Sequence, residues 1–332
     1  MSHNGLVLRG VRFNPIFGAS GTLGNFREGY AYHAYLKGLF PESFDFTGAT
    51  FISKTTTDAP REGNMPLDEN FQPQEFLPKC IYANPLKSIA LNAVGLSGPG
   101  INVLLNTEGW QNYSEPFFIS FMAADGKNLQ ERLSETEKFA KKLKVHLKYF
   151  LSKVGVQKNI SCPNTKQNPA EFVREAIEHG LLLRLILGDD VPLDLKINAM
   201  APFKAIKEIQ AANIFDSITC SNTIPFGEMP EWINWKKLFG SDVSPLIKRG
   251  FKQPGGLSGK PLLPIVERWV EEARIYGIAM PIIAGGGILC PDDVTRLSEA
   301  GASAIAIGSV AFLRPWNVQK IIQQANLISW RR

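Results

Sequence analysis

No apolar run in this 332-residue chain approaches the ~20 residues that a membrane-spanning helix needs. The first residues, Met1-Ser2-His3-Asn4-Gly5, lack the long apolar core of a secretory signal. Cysteine is scarce. Cys80, Cys162, Cys220 and Cys290 form no C-x-x-C pair, so local spacing supports neither zinc nor an iron–sulfur cluster, and no metal is expected. A disulfide framework does not suit a chain of this size, and reduced thiols fit a cytoplasmic protein better. No long stretch has a disordered composition, and no internal repeat, low-complexity tract or second domain is visible. The expectation is therefore one soluble domain over residues 1–332, without membrane attachment. Net charge is +5, spread along the chain. That excess mildly favours anionic ligands and is too weak to argue for nucleic acid. The densest basic run, Lys138, Lys141, Lys142, Lys144 and Lys148, reads as a solvated helix face. Phe139, Leu143, Leu147 and Leu151 supply its apolar stripe.

What is present is alternation. Short β-branched or aromatic runs near 15–20, 49–55, 117–122, 156–161, 193–198, 216–221, 281–286 and 303–308 read as strands. Between them, 128–151, 169–187, 202–213, 261–277 and 291–300 carry helical patterns. Pro291-Asp292-Asp293 suits a helix's first turn, because proline needs no donor there and carboxylates favour the positive end of the dipole. Pro261 opens the preceding helix in the same way. Strand–helix alternation implies parallel strands, and eight of them is the count of a closed (β/α)8 TIM barrel. The rival is an open doubly wound sheet. It would want G-x-G-x-x-G in the first strand–helix turn, and Gly18-Ala19-Ser20-Gly21-Thr22-Leu23-Gly24 has the wrong spacing. Two segments, 56–84 and 223–260, fit no simple rhythm. Both follow strands, so both should emerge as long loops at the C-terminal face, where barrel active sites sit.

Polar residues gather at the strand ends. Lys54 ends the second strand. Asn159, Ser161, Cys162 and Asn164 end the fourth, Lys196 and Asn198 the fifth, and Ser221, Asn222 and Thr223 the sixth. Gly285-Gly286-Gly287 and Gly308-Ser309 end the last two. Each alone is an ordinary turn former or strand-end lysine. Together, a barrel brings them to one mouth. Glycines after the last two strands let backbone N–H groups approach a phosphate, though tight βα turns explain them equally well.

The run Asn159-Ile160-Ser161-Cys162-Pro163-Asn164-Thr165 resembles the catalytic-loop signature of dihydroorotate dehydrogenases. Further pieces follow in that family's order: Ala19-Ser20-Gly21, Ser53-Lys54-Thr55-Thr56-Thr57, Arg61-Glu62-Gly63-Asn64 and Asn92-Ala93-Val94-Gly95-Leu96. Later come Leu195-Lys196-Ile197, Ser221-Asn222-Thr223-Ile224, Gly255 to Leu262, Gly286-Gly287-Ile288 and Ile307-Gly308-Ser309. The resemblance implies an FMN-dependent barrel that oxidises (S)-dihydroorotate to orotate. In that family a base takes the C5 proton while hydride leaves C6 for the flavin N5.

By the same resemblance Cys162 is the base, and cysteine there marks the soluble class. A thiol ionises far more readily than a serine hydroxyl. Lys54 would touch flavin and substrate, and Lys196 the flavin N1–O2 edge. Asn92, Gly95, Leu96, Asn159, Asn164, Asn222 and Thr223 would hold the substrate. Asparagine suits that ring because each amide both donates and accepts. Ala19, Ser20, Gly21, Thr55, Asn92, Ser120, Asn159, Ser221, Ser258, Gly259, Gly286, Gly287, Gly308 and Ser309 would line the FMN. A homodimer is expected, and a separate iron–sulfur and FAD subunit is one route for electrons, with fumarate the other.

The chain departs from the family pattern at Met65-Pro66-Leu67-Asp68-Glu69, Gly98, Lys158 and Ala284. Those departures leave open another reduced pyrimidine or cyclic amide as substrate. Two further readings fit single features of the chain. One is a barrel lyase using Lys196 or Lys54 as a Schiff-base nucleophile, and the other is a flavin-binding protein without catalysis.

Overall fold

A computed structural model describes residues 5–124, 126, 128–160 and 169–331. The chain opens with a hairpin, β1 (Leu6–Leu8) antiparallel to β2 (Val11–Phe13). Then come β3 (Ile16–Gly18), β4 (Thr50–Phe51), β5 (Ile81–Asn84), β6 (Ile89–Asn92), β7 (Phe117–Phe121) and β8 (Val154–Asn159). They are followed by β9 (Leu193–Ile197), β10 (Ser217–Cys220), β11 (Ile224–Pro225), β12 (Gly256–Gly259), β13 (Ile282–Gly285) and β14 (Ala304–Ile307). Eight of these strands form one parallel sheet in the order β4-β3-β14-β13-β10-β9-β8-β7. The chain just past β4 closes it against β7 through parallel bridges at Ile52–Phe118 and Thr56–Phe121. The result is the (β/α)8 barrel, and its eight strands fall where the eight runs lie.

Period-two alternation divides each barrel strand. Outward residues such as Phe117, Ile119, Phe121, Leu193 and Leu195 pack under the helices and are essentially buried. At the N-terminal end of the barrel, Phe17, Ile52, Phe118 and Ile283 form a separate apolar cluster with Leu6, Leu8, Val11 and Phe13 of the hairpin. The Phe13 and Phe118 rings lie 4.7 Å apart. Gly155 makes room for this plug: a Cβ there would fall 2.4 Å from the Phe118 ring. One end of the barrel is thus filled with hydrocarbon, leaving the other for polar work.

The helices Leu129–His146, Pro169–Leu187, Phe203–Ala211, Leu262–Ile275 and Pro291–Glu299 match the helical patterns, all but Pro169–Leu187 being shorter than expected. Pro261 caps its helix from outside rather than starting it. The basic helix departs further from its reading. It ends at His146, a 3-10 turn covers Leu147–Tyr149, and Leu151 lies beyond it and exposed. Phe150 instead turns inward, its ring 6.2 Å from Phe117. Nor is the basic face wholly solvated. Lys142 pairs with Asp58 at 2.6 Å, and Lys144 caps the neighbouring helix at Leu187 O, 2.8 Å away.

The two arrhythmic segments fold together. Strands from both join β6, which follows the first of them, in a four-stranded antiparallel sheet, order β11-β12-β6-β5, over the barrel mouth. Register sets Gly256 against Asn92 and Leu257 against Ile224. The segments do emerge at the C-terminal face, but partly as sheet rather than as loops.

Lys158 lies on the outer side of β8, fully buried, with Nζ 4.8 Å from the centre of the Phe121 ring. Burial pushes its pKa down to about 7, against the pull of Glu175 and Glu135. The unfolded chain binds that proton more tightly between pH 7 and about 10. The penalty for charging Lys158 is therefore complete below pH 7 and fades as pH rises. Lys158→Met should raise Tm at pH 7 by roughly 2–6 °C, with the gain shrinking toward pH 10. A lower Tm for the variant at pH 7 would show that the nearby carboxylates outweigh burial.

Candidate active site

A cavity of about 470 Å³ opens at the C-terminal end of the barrel. Each wall comes from a strand end. β4 runs into Lys54 and Thr55, β8 ends at Asn159, β9 carries Lys196, and the turn after β10 supplies Ser221, Asn222 and Thr223. The mouth sheet contributes Asn92 and Ser258, and the loop after β6 contributes Gly95 and Leu96. Ala19, Ser20 and Gly21 form the wall after β3. Gly286 and Gly287 follow β13, while Gly308 and Ser309 follow β14.

Two expected residues sit behind the wall rather than on it. Ser120 is fully buried and exchanges a 2.9 Å hydrogen bond with the hydroxyl of Thr55, which itself meets Ser20 at 2.8 Å. Ser120 thus positions the wall. Gly259 faces the β5–β6 turn, where a Cβ would fall 2.3 Å from Ser88 O. Its role is close strand approach. Cys162, Asn164 and Ser161 lie outside the described residues.

Two lysines converge on the cavity, and both are desolvated. Burial lowers Lys54 to about 8, offset in part by Glu28 and Cys80, and its Nζ donates to Ser97 O. Burial also lowers Lys196 to about 8, offset by Asp194. A lysine titrating there exchanges a proton near neutrality, and a neighbouring anion would hold it charged. Asn222 Nδ2 donates to Asn159 Oδ1 at 3.1 Å, while Asn222 Oδ1 accepts from Thr223 N at 3.0 Å. The two amides therefore hold one another, with their remaining donor and acceptor sites available to a ligand.

Opposite this polar end, the wall is backbone. Gly286 and Gly287 both have positive φ, at 139° and 73°. A Cβ on Gly287 would fall 2.7 Å from Gly259 O and Leu263 N. The cradle is braced from behind: Lys260 Nζ meets Asp293 Oδ1 at 2.7 Å, and Asp293 Oδ2 accepts from Leu289 N and Cys290 N. Side-chain-free backbone held this way suits a phosphate.

Sequence reasoning missed the floor of the cavity. Gln157 and Thr219 line it, with Asp194 and Ser217 beneath. They occupy the inward positions two residues before Asn159, Ser221, Lys196 and Thr219, so strand periodicity was the signal that would have found them. Among the described residues, no cluster of three or more metal-ligating side chains occurs, and no helix is long and apolar enough to cross a membrane. Cys80 and Cys290 are free thiols.

Comparison with known proteins agrees with the fold. The model of the family described as "Dihydroorotate dehydrogenase" matches residues 8–328. A Bacillus cereus protein named dihydroorotate dehydrogenase B (NAD(+)), catalytic subunit, is 28% identical over 321 residues, covering 94% of this chain and 86% of the relative. The like-named protein of Anoxybacillus flavithermus is 29% identical over 324 residues, with the same coverage of 94% and 86%. Among solved structures, the crystal structure of DHODH from Eimeria tenella in complex with ferulenol superposes with a TM-score of 0.66 at 18% identity. It covers 97% of this chain and 83% of that one. At that identity the likeness speaks for the fold alone.

Proposed function

The chain belongs to the dihydroorotate dehydrogenase family, and from that premise we propose that it oxidises (S)-dihydroorotate to orotate in pyrimidine biosynthesis, with FMN as its cofactor. The observation that carries this reading is one continuous cavity. It joins Lys54, Asn92, Asn159, Lys196, Asn222 and Thr223 at a polar end to Gly286, Gly287, Gly308 and Ser309 at a backbone-walled end.

The cavity fits a flavin mononucleotide on two features of this chain. The cradle around Gly287 is closed to any Cβ, as a close-bound phosphate requires. On the floor, Gln157 lines the same space, and its buried Oε1 has no partner among the described residues. Gly286, Gly287, Gly308 and Ser309 would hold the phosphate. Lys196 would lie at the ring edge where negative charge develops, and Ala19, Ser20 and Gly21 along the ring. Bound there, the flavin supplies a two-electron acceptor for the hydride that leaves substrate C6.

The chain's own residues do the rest. Asn92, Asn159, Asn222 and Thr223 orient the substrate ring and its carboxylate, with Lys54 supplying positive charge beside them. Cys162 takes the C5 proton. Burial of both lysines strengthens their pull on developing negative charge relative to water. The names of the two bacterial relatives support a further step, in which electrons leave through a separate electron-transfer subunit.

The test is turnover with an artificial electron acceptor, comparing (S)-dihydroorotate with the same reduced ring lacking the carboxylate. Orotate formed at a clear preference over the decarboxylated ring is expected. Oxidation of the bare ring alone would move the assignment to another reduced pyrimidine.

A further inference from the structure

We propose that Asp194, fixed in the barrel interior by Gln157, Ser217 and Thr219, is a positioning residue that keeps Lys196 charged and thereby sets the reduction potential of the bound flavin. The inference rests on the proposed flavin site, since it takes Lys196 to face the cofactor. Asp194 and Lys196 lie two residues apart on β9, so their side chains leave the same face of the strand, stacked along the barrel axis. Asp194 is 1% exposed.

Three side chains are placed to donate to Asp194. Ser217 Oγ donates to Oδ1 at 2.7 Å. Thr219 Oγ1 donates to Oδ2 at 2.7 Å, and Gln157 Nε2 donates to the same oxygen at 2.9 Å. Gln157 Nε2 also reaches Thr219 Oγ1 at 3.2 Å, which commits the amide's N–H groups to this layer and leaves Oε1 without a partner among the described residues. Gln157 Nε2 can only donate, and both hydroxyls can donate as well, so this environment accommodates a carboxylate. Burial raises the Asp194 pKa while the three donors and Lys196 lower it, and the net direction is up. The donor pattern is what argues for the ionised form.

No other charge competes for Lys196 among the described residues. In the sheet register its neighbours are Asn159 on β8 and Thr219 on β10, both uncharged. Burial lowers Lys196, and Asp194 alone raises it. A lysine poised this way loses its proton within the working pH range unless a fixed negative charge stands behind it. A charged Lys196 stabilises the reduced, anionic flavin, whereas a neutral one does not.

The experiment is the midpoint potential of the bound flavin between pH 6 and 10, in wild type and variants, with the oxidised flavin's absorbance titrated over the same range. Wild type should show a break in slope that disappears in Lys196→Met. In Asp194→Asn the break should move down by about one to two pH units, the size of a unit charge some 7 Å away at intermediate dielectric. Should that variant fail to hold flavin, Thr219→Val combined with Ser217→Ala keeps the carboxyl but strips two donors. It should move the break the same way by less. An unmoved break in either variant, or a uniform offset at every pH, overturns the role of Asp194 while leaving the flavin site intact. A wild-type profile that Lys196→Met does not change overturns both that role and the placement of Lys196.

Discussion

Cys162→Ala should purify with its flavin bound and turn over dihydroorotate about 10²- to 10⁴-fold more slowly, the usual contribution of a positioned general base. The thiol lies three residues after Asn159, which closes β8 on the cavity wall. Flavin retention is expected because the cradle at Gly286, Gly287, Gly308 and Ser309 comes from other strands. The competing base is Lys54, which lines the cavity and which burial lowers to about 8. The two are separable. If Cys162 is the base, Cys162→Ala removes the fast step and Cys162→Ser restores a small part of it, most visibly at high pH, because a hydroxyl ionises far less readily. Near-wild-type turnover in Cys162→Ala would transfer the role to Lys54.

Gly287→Ala should fold yet lose its flavin. With φ at 73° and a Cβ 2.7 Å from both Gly259 O and Leu263 N, the obstruction is backbone on two sides, which cannot rotate away. The turn must shift, and with it the cradle that Lys260 and Asp293 brace. A rise of about 100-fold in the flavin dissociation constant corresponds to about 2.7 kcal/mol, a reasonable cost for displacing such a turn. The readout is flavin content after gel filtration, with circular dichroism to confirm folding. Full occupancy in the variant would place the phosphate elsewhere.

The barrel was legible in the sequence because its signal is local and repeated. Each of the eight strands is a short run of β-forming residues, and several end at or near a polar residue such as Lys54, Asn159 or Lys196. The mouth sheet was not legible, for a physical reason. Gly256–Gly259 reads Gly-Leu-Ser-Gly and Ile224–Pro225 has two residues, so neither has the length or β-propensity of a strand. Pairing of β12 with β6 on one side and β11 on the other makes them strands, and pairing of distant segments leaves no local mark. The last helix is a different case. Val318, Ile321, Ile322 and Ala325 recur at helical spacing and are buried, so that signal was present but unread.

At the site, the residues legible through the family motifs are those that end strands. The floor residues Gln157 and Asp194 lie one strand repeat earlier and belong to no motif. Lys158 stood out as a departure from the family pattern, and its place on the outer face of β8 explains why it need not alter the substrate pocket. Two departures lie nearer the chemistry: Met65 lines the cavity, and a Cβ on Gly98 would lie 3.8 Å from Lys54 Nζ.

The most direct measurement is the anaerobic absorbance spectrum of the purified protein before and after addition of (S)-dihydroorotate. The proposed function predicts a bound oxidised flavin that bleaches rapidly and yields one orotate per flavin. A flavin that bleaches with dithionite but stays oxidised with dihydroorotate would contradict the substrate assignment. A protein that purifies without flavin and cannot be reconstituted with FMN would contradict the site itself.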